Sequence, residues 1–304
     1  MKLRVITGAF ITIFYMAVLA LSLYVHPIFF DLFVFLLALF GAYEMYKALS
    51  NAFSPPIFVI DLVAIVVSFG AFWFGHYYFG AYASGLTAFF IAFAVMIIVT
   101  LIVTASSKTY VKGNAVSTVL IMMYPLAVLM FSVGLNAFID TRLGIAGSTP
   151  YRNAGIFLMF IVPTFTDIAA YLVGSTVKGK KLCPSISPNK TISGAVGGLF
   201  GGMLGAGLVL LLTFLADKYA INLFGLKMLT DRWSTTIVNF VMLGLFGSVF
   251  DQIGDLFASF IKRRSGIKDF SKILPGHGGI LDRVDGMMFC GVFFYMYFAV
   301  MMLI

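Results

Sequence analysis

Thirteen residues near the C-terminus, LPGHGGILDRVDG, concentrate polar chemistry between two apolar runs. They include one histidine, four glycines, two aspartates and one arginine. Asp282 and Asp285 are three residues apart at the start of a predicted helix, so they can share one face. Carboxylate oxygens hold Mg²⁺, which in turn binds substrate phosphates. The glycines free the backbone to approach an anion and to offer it N–H groups.

The preceding helix carries a second set of polar residues. Asp251, Asp255, Ser259 and Lys262 follow at steps of four, four and three, which predicts one shared helical face. Carboxylates at membrane depth are costly and usually mark a functional path. A run of cations ends this region: Lys262, Arg263, Arg264, Lys268 and Lys272. The acids lie beside these cations and beside a glycine turn, formed by Gly276, Gly278 and Gly279. This combination indicates a site for a nucleotide polyphosphate, because Lys and Arg offset phosphate charge.

An earlier polar region, residues 167–194, repeats the theme. We expect Asp167 to be buried within the sixth span, with Tyr171 four residues later. The following loop contains four lysines and several hydroxyls, which suit phosphate or ribose binding, and Pro184 and Pro188 favour an extended segment. Since basic, serine-rich loops are common, Asp167 is the stronger signal: it charges a helix that need not be charged.

Each feature also has a purely structural explanation. The basic cluster could reflect the excess of Lys and Arg in cytoplasmic loops, or bind anionic lipid headgroups. The acids could form an ion relay in a transporter, and His277 could be a solvated loop histidine. The glycine-rich seventh span, GAVGGLFGGMLGAG, favours close helix packing over phosphate binding, because small residues four apart let helices approach. These explanations do not account for acids, glycine turn and basic run occurring together.

The composition is that of an integral membrane protein. Of 304 residues, 61% are hydrophobic and 11% charged, the mean hydropathy is +1.04, and glutamate occurs once, at Glu44. The apolar runs are continuous rather than alternating, which predicts helices. The net charge of +8 fits basic cytoplasmic loops better than nucleic-acid binding. The two cysteines match no metal or redox spacing, and the first apolar run is too long for a signal peptide.

We predict an all-α polytopic membrane protein of about nine transmembrane helices, with a cytoplasmic N-terminus and an outside C-terminus. With that orientation, 15 of the 20 basic residues lie on the cytoplasmic side. The predicted spans are 4–24, 28–48, 57–75, 81–103, 115–139, 154–175, 194–216, 234–260 and 284–304. We assign 1–150 to helices for packing, dimerisation or lipid access. Residues 151–304 are predicted to be the catalytic region, with cytoplasmic loops 176–193 and 261–283.

The second polar region resembles the signature of the phosphatidate cytidylyltransferases, also called CDP-diacylglycerol synthases. Over 27 positions with every spacing kept, the matching residues are Ser259, Lys262, Arg263, Lys268, Asp269, Pro275, His277, Gly278, Gly279, Asp282, Arg283 and Asp285. The first region resembles the other stretch of that family at Asp167, Tyr171, Gly174, Lys181, Leu182, Pro184, Ile186, Ser187, Pro188, Lys190 and Thr191. The chain departs from the family at Ser175, Ser193 and Ala258, where Arg, Glu and Glu are usual.

The resemblance implies a nucleotidyltransferase of phospholipid biosynthesis that converts CTP and phosphatidic acid into CDP-diacylglycerol and pyrophosphate. Asp255 and Asp282 would hold Mg²⁺ with support from Asp285 and Ser259, and a second cation such as K⁺ has a possible place. The catalytic candidates are Asp255, Asp282, Lys262 and Asp285. The candidate substrate-binding residues are Asp167, Tyr171, Ser187, Lys190, Thr191, Ser259, Arg263, Lys268, Asp269, His277, Gly278, Gly279 and Arg283.

The expected partners are CTP, phosphatidic acid, membrane lipids and a second copy of the chain in a homodimer, with no nucleic acid. We expect a multi-pass protein of the cytoplasmic membrane whose active site faces the cytoplasm. A CTP-dependent lipid kinase, such as a polyprenol kinase, is one alternative, and the intact His-Gly-Gly to Asp-Arg-x-Asp signature argues against it. An ion-coupled transporter would predict acids spread across the membrane and an internal repeat. The early spans carry Asp31 and Asp61 as isolated acids, and the sequence shows no repeat.

Overall fold

The computed structural model describes residues 2–50, 58–79, 82–106, 115–136, 150–276 and 278–301. Over these residues the chain forms nine α-helices and one two-stranded β-hairpin. In chain order the elements are α1 (Lys2–Tyr24), α2 (Ile28–Ser50), α3 (Phe58–Phe79), α4 (Tyr82–Ser106), α5 (Ala115–Asn136), α6 (Pro150–Thr176), β1 (Lys181–Cys183), β2 (Ser187–Thr191), α7 (Ile192–Lys218), α8 (Trp233–Arg264) and α9 (Leu281–Met301).

The helices confirm the prediction of an all-α polytopic membrane protein. Among the described residues, eight helices are long and apolar enough to cross a membrane, and α5 contributes a shorter apolar stretch, Met123–Asn136. A helix satisfies its own backbone hydrogen bonds, which is why continuous apolar runs take this form in lipid. The orientation of the termini stays a prediction.

The described chain groups into two compact units. The first contains Met1–Ser22, His26–Gly134 and Ile261–Arg283, and the second contains Leu23–Val25, Leu135–Phe260 and Val284–Ile304. In the first unit α3 packs against α2 and α4, and its core includes the fully buried Phe30, Met45, Ala64 and Phe89. We predicted that residues 1–150 serve packing, dimerisation or lipid access and that residues 151–304 are catalytic. This assignment of functions stays a prediction.

The glycines of α7 let this helix pack tightly in the second unit. A Cβ atom added at Gly197 would lie 2.6 Å from the side chain of Val173, and one at Gly205 would lie 3.1 Å from that of Phe165. On another side of α7, a Cβ at Gly198 would lie 3.1 Å from the amide of Gln252. The prediction that this glycine stretch serves helix packing is therefore confirmed.

We expect Gly201→Ala to destabilise the second unit by about 1–3 kcal/mol, the usual cost of overpacking. The new Cβ would overlap the carbonyl oxygen of Phe165 and the side chain of Ala169. The matched control is Gly207→Ala on the same helix, where a Cβ meets nothing within 4 Å. A titration with SDS in mixed micelles, followed by circular dichroism, measures both variants. Equal midpoints for the two would contradict the packing role of Gly201.

The helices carry the two polar sets where the sequence predicted them. Since α8 runs unbroken from Trp233 to Arg264, Asp251, Asp255, Ser259 and Lys262 all lie on one continuous helix. Asp282 and Asp285 lie at the start of α9. The hairpin occupies the predicted loop 176–193, where no strand was predicted.

Candidate active site

Four aspartates of the second unit form a group that we call the acidic cluster. It consists of Asp167 on α6, Asp251 and Asp255 on α8, and Asp285 on α9. Asp251 interacts electrostatically with each of the other three carboxylates and with the ammonium group of Lys190. Because the group gathers negative charge in one place, it favours binding of a further cation.

Close approach of α8 and α9 holds Asp251 beside Asp285. A Cβ at Gly254 would lie 2.6 Å from the carbonyl oxygen of Asp285, and one at Gly286 would overlap Oδ1 of Asp251. The N–H of Gly286 also donates to Oδ1 of Asp285 at 2.9 Å. The two glycines therefore remove the bulk that would keep these carboxylates apart.

Over the part of the chain that the structure describes, one carboxylate oxygen of the acidic cluster lacks a partner, a role that a cation could fill. Asp251 is 2% exposed, and its Oδ2 has no hydrogen-bond partner among the described residues. A buried carboxylate oxygen without a partner is costly, and an oxygen-ligated cation such as Mg²⁺ would satisfy it. Within the described part of the chain, however, no three His, Cys, Asp or Glu side chains form a group that could hold a metal ion. The cluster supplies negative charge and carboxylate oxygens. The predicted Mg²⁺ ligands Asp255, Asp282, Asp285 and Ser259 stay a prediction.

The hairpin delivers a lysine to the acidic cluster. Lys190 on β2 forms an ion pair with Oδ2 of Asp255, while Oδ1 accepts a hydrogen bond from Ser259 at 3.4 Å. The side chains of Lys190 and Asp255 are 28% and 29% exposed, so both groups remain accessible to a ligand. The structure thus brings the two polar regions together at this pair.

Two further hairpin residues that we predicted as substrate contacts have structural partners. Oγ1 of Thr191 accepts a hydrogen bond from the N–H of Gly194 at 3.1 Å, which caps α7. Ser187 pairs with Cys183 across the hairpin. Capping accounts for a threonine at position 191, and contact of either residue with a nucleotide stays a prediction.

Asp167 is exposed, which corrects our expectation that it is buried. Tyr171, one helical turn later, is 75% exposed. The face of α6 that packs against the α7 glycines carries Phe165, Ala169 and Val173. Asp167 lies two residues from Phe165 and from Ala169, about 200° around the helix, so it points away from the packed face.

Asp282 accepts three hydrogen bonds, all from residues of the first unit. Its Oδ1 accepts a hydrogen bond from Nζ of Lys262 at 2.7 Å, and its Oδ2 accepts from the backbone N–H groups of Phe270 and Gly279, each at 2.9 Å. Nζ of Lys262 also lies 5.3 Å from the ring centroid of Phe270. The side chains of Lys262 and Asp282 are only 11% and 4% exposed, so loss of either partner would strand a largely buried charge.

The glycine turn folds around Asp282. Gly278 has φ +83°, and a Cβ there would lie 2.8 Å from Oδ2 of Asp282, so glycine is required on both counts. We expected the N–H of Gly279 to be available to a bound anion. Instead it donates to Asp282, an anion of the chain itself. His277, also predicted to bind substrate, lies outside the described residues.

The remaining charged residues of the loop lie at the surface. Arg263, Lys268, Asp269 and Arg283 are exposed, in contrast to Lys262. Exposed Lys and Arg side chains can contact a polyphosphate without first leaving the protein interior. The predicted contacts of these residues with a nucleotide stay predictions.

Glu44 on α2 is a polar residue that our sequence reasoning did not assign to the site. It is fully buried, and its carboxylate accepts hydrogen bonds from Ser271, Ile280 and Leu281 in the loop that carries Asp282. A signal was present in the sequence, since this is the only glutamate of the chain and it interrupts an apolar span.

Comparison with known proteins relates this chain to cytidylyltransferases. Residues 2–301 match the family model described as "Cytidylyltransferase family". The chain is 36% identical over 171 residues to a phosphatidate cytidylyltransferase of Brucella suis, covering 56% of each chain. It is 35% identical over 174 residues to that of Bacillus subtilis, covering 57% of this chain and 56% of the relative. It is 42% identical over 134 residues to that of Staphylococcus aureus, covering 44% and 45%. The matches thus span about half the length of these curated relatives.

Proposed function

Since the chain belongs to the cytidylyltransferase family, we propose that it transfers the cytidylyl group of CTP to phosphatidic acid, giving CDP-diacylglycerol and pyrophosphate. The family match carries the proposal, because it covers the acidic cluster and the Asp282 loop together. The relatives named above are phosphatidate cytidylyltransferases, which supports the choice of CTP and phosphatidic acid as substrates.

The chemistry of the acidic cluster supports a cation-dependent reaction. We propose that Asp255, Asp282, Asp285 and Ser259 hold Mg²⁺, and that a second cation such as K⁺ has a place near the same carboxylates. When bound, Mg²⁺ supplies positive charge that offsets the repulsion between two anionic substrates. The unpartnered oxygen of Asp251 supports the presence of a cation in this cluster.

In the proposed step an oxygen of the lipid phosphate forms a bond to the α-phosphorus of CTP. The bond from this phosphorus to the oxygen shared with the β-phosphate breaks, and pyrophosphate leaves with the electron pair. The lipid phosphate is already ionised, so no side chain has to act as nucleophile or take up a proton. The chain's contribution is positioning and charge stabilisation.

The cations have two distinct settings in this proposal. Arg263, Lys268 and Arg283 are exposed and offset charge on the polyphosphate and the departing pyrophosphate. Lys262 is buried and keeps the Asp282 carboxylate oriented through its 2.7 Å hydrogen bond. Lys190 balances Asp255 and is accessible enough to contact the nucleotide. Asp167, Tyr171, Ser187 and Thr191 are proposed as further nucleotide contacts.

The setting of the reaction follows from the membrane fold. A soluble nucleotide and a lipid headgroup can meet only at the membrane surface, and we propose that this is the cytoplasmic face of the cytoplasmic membrane. That face is predicted from the excess of basic residues in its loops. A homodimer stays part of the proposal, with the N-terminal helices as the candidate contact.

Acceptor dependence of pyrophosphate release tests the proposed function. The purified protein in detergent is given CTP, Mg²⁺ and one of three lipids: phosphatidic acid, diacylglycerol or a polyprenol. We expect pyrophosphate only with phosphatidic acid, since diacylglycerol is the matched lipid without the attacking phosphate. Release of CDP with the polyprenol or diacylglycerol would establish a kinase. Absence of both products with every lipid would overturn the enzyme proposal and leave the transporter alternative.

A further inference from the structure

Glu44 fixes the loop that ends at α9 from a different part of the chain. Its Oε1 accepts hydrogen bonds from the Ser271 hydroxyl at 2.6 Å and from the N–H of Ile280 at 2.8 Å. Its Oε2 accepts from the N–H of Leu281 at 2.8 Å. The residue is 0% exposed, so these bonds are shielded from competing water.

The contacts of Glu44 adjoin those of Asp282. Three successive backbone N–H groups are divided between two carboxylates: that of Gly279 donates to Asp282, and those of Ile280 and Leu281 donate to Glu44. The N–H groups at the start of a helix have no partners within it, and their partial positive charge favours a carboxylate there. Glu44 therefore determines where α9 begins, one residue before Asp282.

Packing reinforces the hydrogen bonds. A Cβ at Gly279 would lie 2.6 Å from Oε1 of Glu44, so only glycine allows the loop to approach this closely. One turn before Glu44 on α2, a Cβ at Gly41 would lie 3.1 Å from the side chain of Leu281. On α1, the Thr7 hydroxyl donates to the carbonyl oxygen of Pro275 at 3.1 Å. The first two spans thus hold both ends of the glycine turn.

We propose that Glu44 is a positioning residue for Asp282, and that α2 serves the reaction by carrying it. The three accepted hydrogen bonds involve both carboxylate oxygens, which is the environment of a structural acceptor. The catalytic consequence rests on the proposed function, whereas the ordering of the loop does not. Glu44 thus gives the N-terminal helices a task beyond packing, dimerisation or lipid access.

Hydrogen–deuterium exchange measures the ordering directly, without substrate. Glu44→Gln removes one acceptor and turns an amide N–H₂ toward backbone donors. We expect amides in residues 267–283 to exchange at least about tenfold faster, the lower end for losing a hydrogen bond to a charged group. Peptides from α7 in the second unit serve as the internal reference and should be unchanged. The control Tyr43→Phe, at an exposed neighbour that keeps its ring contact with Phe58, should match the parent.

A second, milder variant tests the proposal even if Glu44→Gln destabilises the whole protein. Ser271→Ala removes one of the three bonds to Glu44, together with the bond that the Ser271 hydroxyl accepts from the N–H of Ile273, and leaves the Ile280 and Leu281 donors in place. If Glu44→Gln accelerates exchange throughout the protein, Ser271→Ala decides the question. An increase of about threefold at the amides of Ile280 and Leu281 supports the proposal, and no increase there overturns it. Unchanged exchange of this segment in Glu44→Gln itself would also overturn it.

Steady-state kinetics distinguish a positioning role of Glu44 from general destabilisation of the protein. With CTP and phosphatidic acid, Glu44→Gln should lower kcat about tenfold to a hundredfold while KM for phosphatidic acid stays within about twofold, since only the placement of Asp282 changes. Glu44→Asp keeps the charge and should recover part of kcat. A faster-exchanging loop with unchanged kcat would overturn the link to Asp282. A parent protein that makes no CDP-lipid would instead defeat the proposed function and leave the exchange result standing.

Discussion

Asp282→Asn is expected to lower kcat/KM for cytidylyl transfer by about 10³-fold, the scale for losing one preorganised electrostatic contact. The substitution removes the charge proposed to hold Mg²⁺ and replaces one of two oxygens that together accept three hydrogen bonds. The variant keeps the size and shape of the side chain, so packing around the glycine turn is preserved. The measurement is the initial rate of CDP-diacylglycerol formation over a range of CTP concentrations.

The ion pair with Lys262 requires its own control. In Asp282→Asn the largely buried ammonium loses its partner, which can cost about 3–5 kcal/mol of stability. The double variant Asp282→Asn with Lys262→Met removes both charges and should regain stability without regaining activity. Asp217→Asn makes the same chemical change at an exposed aspartate and should retain full activity. Recovery of activity in the double variant would show that Asp282 has only a structural role.

Asp255→Asn is expected to lower kcat/KM by about 10²- to 10³-fold and to raise the Mg²⁺ concentration needed for half-maximal rate. Asp255 is the member of the acidic cluster that both pairs with Lys190 and accepts from Ser259. Removing its charge lowers the attraction of the cluster for a cation. The half-maximal Mg²⁺ concentration is read from initial rates at saturating CTP.

A purely structural role for Asp255 makes a different prediction. If the carboxylate served only to hold the hairpin through Lys190, then Lys190→Met would be as damaging as Asp255→Asn, and the double variant would be no worse than either. We expect Lys190→Met to be much less damaging and the Mg²⁺ requirement to shift only when Asp255 is replaced. An unchanged Mg²⁺ dependence in Asp255→Asn would contradict its assignment as a metal ligand.

The helices could be predicted from the sequence because membrane spans obey a local rule. About 20 apolar residues in a row specify a helix whatever its neighbours, and the predicted spans coincide with the helices to within a few residues. The same locality explains why the polar residues of α8 and the start of α9 fell on the expected elements. The glycine seam of α7 was predictable because spacing along one helix reports on packing.

What the sequence could not supply were contacts between distant segments. Glu44 meets Ile280 and Leu281 across most of the chain, and no local pattern encodes that pairing. The exposure of Asp167 depends on which face of α6 packs against α7, and the sequence of α6 alone does not determine that face. The hairpin was missed because its strands are short and Pro188 lies within one of them.

The glycine turn shows that a backbone N–H predicted to face an anion can donate to an anion of the chain itself. The sequence correctly indicated that glycines free the backbone for an anion, and Gly278 does adopt φ +83°. The anion that the N–H of Gly279 binds is Asp282, three residues away. The turn therefore places the carboxylate of Asp282, and Glu44 accepts from the two adjoining N–H groups.

The most direct test of the account follows the oxygens of the lipid phosphate. Phosphatidic acid carrying ¹⁸O at its three non-bridging phosphate oxygens is converted with unlabelled CTP, and the products are examined by ³¹P NMR and mass spectrometry. Attack of the lipid phosphate on the α-phosphorus predicts CDP-diacylglycerol that retains all three ¹⁸O atoms, one of them in the bridge to the α-phosphorus, and unlabelled pyrophosphate. A bridge containing ¹⁶O, ¹⁸O in pyrophosphate, or no CDP-diacylglycerol at all would contradict it.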